Sequence, residues 1–587
     1  MSSKTKRVKG IRIINGKVFD PLNNIHGDKK DITIVGNKIV DANEFKKSDI
    51  KFKTIDAKGM VILPGGVDIH AHIAGPKVNA GRLLRPEDHL QEIRPKTPTT
   101  RAGVGRSVPS TFYTGYAYAK MGYTCAMEPA MPPLEARHTH EELIDIPIID
   151  KGAYTLLGSN WFLLERMSKM DINEMCAFVS WLLETSGGYT IKLVNPGGEE
   201  SWAWGKNVCN LDDKIAFFRA TPRQIIKTLA TVNEKLALPH SIHLHTNNLG
   251  VPGNFDITKE TMECVRGIKP TKDRKTNVHI THIQFSSYGG KDWRDFCSEA
   301  TEIAHYMNKH EHVSCDIGQI VFTNTTTMTA DGAWEWVLRG ITENLAWSPR
   351  SGSKWMNAQV ELESCAGVVP YIFRRRNSVN AIQWAIGLEF LLSIKDLKKV
   401  NISTDHPNGG PFTFYPLIFK WLMSRKARED MLARTDKAAS ERTTLKDIKR
   451  ELTLSELVLV SRVSAAQLLG LKNKGHLGIG ADADIAIHEF DCLINKLSTN
   501  PDAIEKGFSE TKYTIKDGII VYSNGGIVKS TLGKTYRVKA EVPEDWLLNI
   551  QEAIEERFRK HYTVSLGNYA VQKEYFPKEE VIVTKMD

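Results

Sequence analysis

No two cysteines in the 587-residue sequence stand in a CxxC pair. Cys125, Cys176, Cys209, Cys264, Cys297, Cys315, Cys365 and Cys492 are scattered singly. That pattern excludes a disulfide scaffold and a thiolate zinc site, and it points to a reducing, cytoplasmic compartment. A metal, if bound, must take N and O donors. A long apolar run is also missing: the best stretch, 381–394, is broken by Gln383 and Glu389 and is shorter than the ~20 residues of a membrane span. The basic opening MSSKTKRVKG has no apolar segment behind it, so it reads as a solvated tail and not a secretory signal. Neither sign of charge dominates. A net +9 from 78 basic and 69 acidic residues is a mild bias, no nucleic-acid footprint, and would suit an acidic small molecule. Internal repeats, low-complexity tracts and an obvious dinucleotide-binding loop are absent as well.

What is there is an ordinary globular composition, 41% hydrophobic and 25% charged, long enough for a large barrel plus an accessory domain. Residues 1–63 read as short strands. Ile11 to Ile14 leads through Asn15-Gly16 into Lys17 to Phe19, a hairpin signal, and Ile32 to Val35 leads through Gly36-Asn37 into Lys38 to Val40. The far end, 475–540, is similar, with a glycine-rich turn, Asp484 to Ile487, and a hairpin across Asp517-Gly518. One small sandwich built from both termini is the expectation. Between them, 64–430 alternates apolar runs with helical patterns, which implies a parallel sheet and predicts a (β/α)8 barrel with insertions. Residues 323–373 show few strand signals and are the expected insertion. Residues 431–474 read as a helical return to the sandwich, and 541–587 as a helix and tail. The charged stretch 421–451 reads as a solvated helix face.

The chemistry is carried by strand ends. Met60 to Leu63 precedes Gly65-Gly66-Val67-Asp68-Ile69-His70-Ala71-His72. Residues two apart on a strand share a face, so His70 and His72 aim at one point, and neutral imidazoles suit divalent metals. His138 and His140 repeat the spacing without a strand before them and read as a loop. Lys192 lies inside the apolar run 190–194. It is either a rim lysine that snorkels or an amine kept neutral by burial. A neutral amine can take up CO2 as a carbamate, whose two oxygens can bridge two metals. In Ile242-His243-Leu244-His245 the outer His245 is the candidate ligand and His243 a packed residue one layer deeper. In Val278 to Ile283, His279 and His282 face opposite ways, and His282 is nearer the barrel mouth. Asp405 ends the run 400–404 before Pro407-Asn408-Gly409-Gly410. It can ligate metal and take a proton, or it can merely cap a turn. His406 is left open as an assisting group. Four histidines, a lysine and an aspartate, in order and each at a strand end, divide naturally between two metals.

That order resembles the metal-dependent amidohydrolase superfamily, which includes dihydropyrimidinase and dihydroorotase. Gly475-His476-Leu477-Gly478-Ile479-Gly480-Ala481-Asp482-Ala483-Asp484 resembles its C-terminal signature. Longer segments resemble the formyl-hydrolase subunit of formylmethanofuran dehydrogenases. They are HAHIAGPKVNAGRLLRPEDH, VPSTFYTGYAYAKMGYT, AMPPLEARHTHEE, NPGGEESWAWG, TTTMTADG, DHPNGGPFT and NYAVQKEYFPK. The resemblance implies a binuclear zinc centre on His70, His72, His245, His282, a carboxylated Lys192 and Asp405, with Asp405 as catalytic base. It implies formate and methanofuran as reactants. Partner subunits would carry a tungsten or molybdenum pterin and iron–sulfur clusters. Arg82 and Arg85 could hold the carboxylate-rich tail of methanofuran, or pair with Glu87 and Asp88. The competing readings are the hydrolase subunit of a methylotroph formyltransferase/hydrolase complex, a free-standing cyclic amidohydrolase and a non-catalytic scaffold.

Overall fold

A computed structural model describes residues 9–45, 50–169, 171–345, 356–360 and 363–586. Most of the basic N-terminal tail lies outside them, but Lys9 and Gly10 already open a strand. Eight parallel strands follow one another in sequence order: β1 (Gly66–Asp68), β2 (Tyr123–Met131), β3 (Asp150–Leu156), β4 (Ile191–Val194), β5 (Ile242–His245), β6 (Val278–Ile280), β7 (Val313–Asp316) and β8 (Val400–Asn401). Beyond β8 a parallel bridge joins Ala71 to His406, and His72 N–H donates to His406 O at 2.7 Å. The sheet therefore closes into a TIM-like barrel. Its strands are buried throughout, as parallel strands flanked by helices must be.

Helices cover the barrel. Pro222–Lys235 starts on a capping box, Thr221 with Gln224, and buries Ile225, Ile226, Leu229 and Val232 on one face. Ser378–Ser393 is buried along nearly its whole length, which explains the apolar run 381–394. Among the described residues, no helix is long and apolar enough to cross a membrane.

The sandwich joins both termini. A four-stranded sheet (Lys38–Val40, Ile32–Val35, Lys9–Ile14, Lys51–Asp56) faces a seven-stranded one. The larger sheet interleaves Lys17–Asp20, Ile25–Lys29 and Val61–Pro64 with Ile485–His488, Tyr513–Lys516, Ile519–Ser523 and Gly526–Ile527. Ile13, Ile34, Ile55, Ile62, Ile485, Ile487 and Ile515 fill the space between them.

Five sequence expectations need correcting. Asn15-Gly16 is not a hairpin turn: Lys9–Ile14 runs parallel to Lys51–Asp56, Lys17–Asp20 runs parallel to Val61–Pro64, and the turn passes the chain between the two sheets. Thr535–Glu541 leaves the sandwich and pairs with β3 of the barrel, carrying Glu579–Lys585 on its other edge. The segment 323–373 does contain strands: Asn324–Thr329, Met356–Val360 and Ser364–Ile372 form an antiparallel sheet. Its threonines and short length hide the period-2 pattern. His138 and His140 sit on the helix Ala136–Asp145, not a loop, where residues two apart diverge; buried His140 donates from Nε2 to Ser186 O. Finally, 421–451 keeps most of its charged side chains in solvent, as expected, but not on one helix. It breaks into short helices around buried Arg428, which donates to the carbonyls of Trp421, Ile448 and Arg450.

Candidate metal centre

The candidate residues gather at the C-terminal mouth of the barrel, where such barrels place their chemistry. β1 delivers His70 and His72, β4 delivers Lys192, β5 ends on His245, and His282 and Asp405 follow β6 and β8. His282 and Asp405 adopt left-handed backbone, with φ of 36° and 50°. That conformation is costly for residues other than glycine and tends to be kept where a side chain must be aimed. Gly318 leaves room for it, because a Cβ there would lie 2.4 Å from His282 Cβ.

Asp405 is the hub. His70 Nε2 lies 2.9 Å and His72 Nε2 3.4 Å from its Oδ1. Donor atoms of His70, His282 and Asp405 lie within 4.8 Å of one another. The rings of His70 and His72, His70 and His282, and His245 and His282 stand 5.6, 5.5 and 4.7 Å apart. His245 turns its Nε2 to Asp331 Oδ2 at 3.0 Å. Lys192, 2% exposed, pairs in register with His243 of β5.

The electrostatics describe a negative hole lined with imidazole. Burial opposes charge on His70, but Asp316 and Asp405 outweigh it and push its pKa up to about 9. Burial dominates at His282 and drives it well down. It lowers Lys192 to about 7, against the pull of Asp316 and Asp405. Asp405 is held far below the usual carboxylate range: burial alone would raise it, and the imidazoles of His70 and His282 reverse that. His282 Nδ1 and Asp405 Oδ1 are buried without a well-formed hydrogen bond. Buried polar atoms are rarely left so. Lone pairs aimed into one space, together with imidazole and carboxylate donors, fit a divalent cation.

Sequence reasoning missed the supporting shell. Glu128, from β2, accepts from His72 Nδ1 at 3.1 Å and from the backbone N–H groups of Ile73 and Ala74. Asn408 donates to Asp405 Oδ2 at 2.9 Å. Asp331 comes from the segment between β7 and β8. Lys77 Nζ is buried without a hydrogen-bond partner. Asn408 was legible as part of the Asp405 loop; Glu128 sits in a wholly buried strand that offers no alternation to read. Arg82 pairs with Glu142 at 2.7 Å, not with Glu87 or Asp88. Arg85 donates to Thr325 O and lies 3.6 Å from Glu87.

A closed parallel barrel with imidazoles and a carboxylate at its mouth defines a class of enzyme. Residues 53–522 match the amidohydrolase family, and the chain belongs to it as a metal-dependent hydrolase. Closer relatives narrow the class. The chain is 48% identical over 575 residues to protein FwdA of Methanocaldococcus jannaschii, covering 97% of this chain and 98% of that one. It is 34% identical over 577 residues to a component of the formyltransferase/hydrolase complex Fhc of Methylorubrum extorquens, covering 97% of each. It also matches a chain in the crystal structure of that FhcABCD complex with methylofuran, with a TM-score of 0.86 at 32% identity, over 98% of this chain and 99% of the other.

Proposed function

We propose that the chain is the formyl-hydrolase subunit of a formylmethanofuran dehydrogenase, joining formate to the amine of methanofuran to give N-formylmethanofuran and reversing that step. The observation that carries this reading is the meeting of His70, His72, His282 and Asp405 at one barrel mouth, in a chain 48% identical to FwdA. His70, His72, His245, His282, Asp405 and a carboxylated Lys192 would hold two zinc ions. When bound, the metals would supply Lewis acidity to polarise the formyl oxygen and to activate water near neutral pH. Asp405 holds and moves the proton: it accepts one in the hydrolytic direction and returns it to the leaving amine. Asn408 fixes the Asp405 carboxylate through Oδ2, so that Oδ1 faces the reaction space. Glu128 fixes the ring of His72. The scattered cysteines give this chain no iron–sulfur ligand set, so reduction of CO2 falls to partner subunits bearing a tungsten or molybdenum pterin and iron–sulfur clusters.

The same residues would serve the methylotroph arrangement, which runs toward formate; the higher identity to FwdA favours the first reading. Asp405→Asn tests it. The variant should keep its fold and lose about a hundredfold or more of formylmethanofuran hydrolysis, the scale of a removed acid–base group. Near-normal hydrolysis would remove Asp405 as the base.

A further inference from the structure

Beneath the centre, three histidines stand in line through the barrel interior. His70 Nδ1 lies 2.9 Å from His243 Nε2. His243 Nδ1 lies 3.0 Å from His240 Nε2. His240 Nδ1 lies 2.7 Å from the carbonyl oxygen of Leu468, in the helix Ser464–Leu468. All three rings are buried. His279 stacks on His243 at 4.7 Å and 9°, with its own nitrogens on Ser314 Oγ and Asp316 Oδ2, so the plane of His243 is clamped.

A carbonyl oxygen can only accept. His240 must therefore carry its proton on Nδ1, which leaves Nε2 of the neutral ring as an acceptor. His243 must then donate from Nδ1 and accept at Nε2, and His70 must donate from Nδ1. The nitrogen of His70 that can then give up its proton to a metal is Nε2, the atom beside Asp405. The tautomer of a metal-binding histidine is ordinarily set by the group that its other nitrogen meets. Here that group is another histidine, itself set by a third. Asp316 Oδ2 is a second acceptor near His70 Nδ1, but at 3.4 Å, and it already takes His279 Nε2.

We propose that His240 and His243 form a tautomer relay, in which the Leu468 carbonyl at the base of the barrel fixes His70 with its Nε2 lone pair facing the metal centre. The inference rests on reading His70 as a ligand. His240 and His243 are positioning residues, acting on the centre through His70.

The full chain, stripped of metal, is titrated with zinc against a chromophoric chelator. His240→Leu removes the acceptor for His243 Nδ1; His240→Gln restores one, its Oε1 standing near the lost Nε2. The leucine variant should bind zinc at the tighter site about 10–100-fold more weakly, the scale of losing an outer-shell partner, and the glutamine variant should recover most of that. The relay acts in series, so His240→Leu/His243→Leu should bind no more weakly than His243→Leu alone. Equal affinity in His240→Leu and the parent, or additive losses in the double variant, overturn the relay. A parent chain that binds no zinc overturns the ligand reading instead, and the relay with it. A measurement independent of variant folding is the side-chain nitrogen spectrum of the parent chain labelled with 15N-histidine. His240 and His243 should each carry their one proton on Nδ1, and His70 should keep its Nδ1 proton and lose the Nε2 proton when zinc is added; an Nε2-protonated His243 refutes the proposal.

Discussion

Lys192 shows how much a single residue can depend on where the chain takes it. On the surface its amine would be an ordinary cation. In β4, burial drops its pKa to about 7 against two nearby carboxylates, so near neutral pH a sizeable share is uncharged amine, the form able to take up CO2. Lys192→Ala should lower zinc affinity at least about tenfold, and short-chain carboxylic acids should restore part of it by replacing the lost oxygens. Unchanged metal content in the variant would take Lys192 out of the centre. The six candidate positions stand out in the sequence because five lie at or near the end of an apolar run and Lys192 lies inside one, and strand geometry says which side chains share a face. Their partners do not. Glu128 and Asp331 reach His72 and His245 across 56 and 86 residues. Nothing local marks a carboxylate as aimed at a distant imidazole.

At the scale of elements, β4, β5 and β8 were readable as apolar runs, whereas β2, β3 and β7 were not, being buried on both faces with polar residues such as Glu128, Lys151 and Asp316 satisfied in place. The segment between β7 and β8 was underread for a different reason, since among the described residues its strands pair only with one another. That segment is tied to the C-terminal tail by Glu363. Its carboxyl accepts from Leu134 N–H at 2.7 Å and from the phenols of Tyr562 and Tyr569. Burial raises its pKa to about 7 against those donors. The folded state thus keeps a proton that the unfolded chain gives up near 4.5. The stabilisation is full below that pH, shrinks as pH rises, and is lost through pH 7. A shift of this size is worth about 3 kcal/mol. The tail around Tyr562 and Tyr569 should therefore become more open to amide hydrogen exchange from pH 5 to pH 8. Glu363→Gln, which stays neutral, should show no such pH trend, at a lower overall protection because its amide nitrogen cannot accept from Leu134 N–H. An unchanged pH response in the variant would exclude Glu363 as the titrating group.

The whole molecule is stitched at one buried point. Lys474 Nζ lies 2.6 Å from both Asp150 and Asp484 and 3.3 Å from Asp482, and Lys516 Nζ reaches Asp150, Asp484 and Asp517 at 3.1, 3.2 and 2.8 Å. Asp150 opens β3 of the barrel, Asp482 and Asp484 close the glycine-rich segment 475–484, and Lys516 and Asp517 belong to the sandwich hairpin. Lys534, just ahead of the strand that crosses to the barrel, adds a contact to Asp482 at 3.5 Å. The acid pair in that segment thus has a structural reason to be there: it places carboxylates where barrel and sandwich meet. Burial would raise Asp150, and Lys474 and Lys516 hold it far below the usual range instead. Pairs like this contribute little relative to an apolar replacement of the whole set, but removing one partner strands the others. Lys474→Met should destabilise the protein by about 3–5 kcal/mol, read by denaturant unfolding at pH 7.5. Protonating the stranded carboxylates relieves them, so the deficit should shrink as pH falls toward 5, even though the parent gains nothing from these groups over that range. Asp150→Asn placed in the Lys474→Met background should recover part of the loss by removing one excess negative charge, since Lys516 is then left facing Asp150, Asp484 and Asp517 together. A deficit independent of pH, or a double variant weaker than the sum of the singles, would mean that Lys474 acts through packing alone.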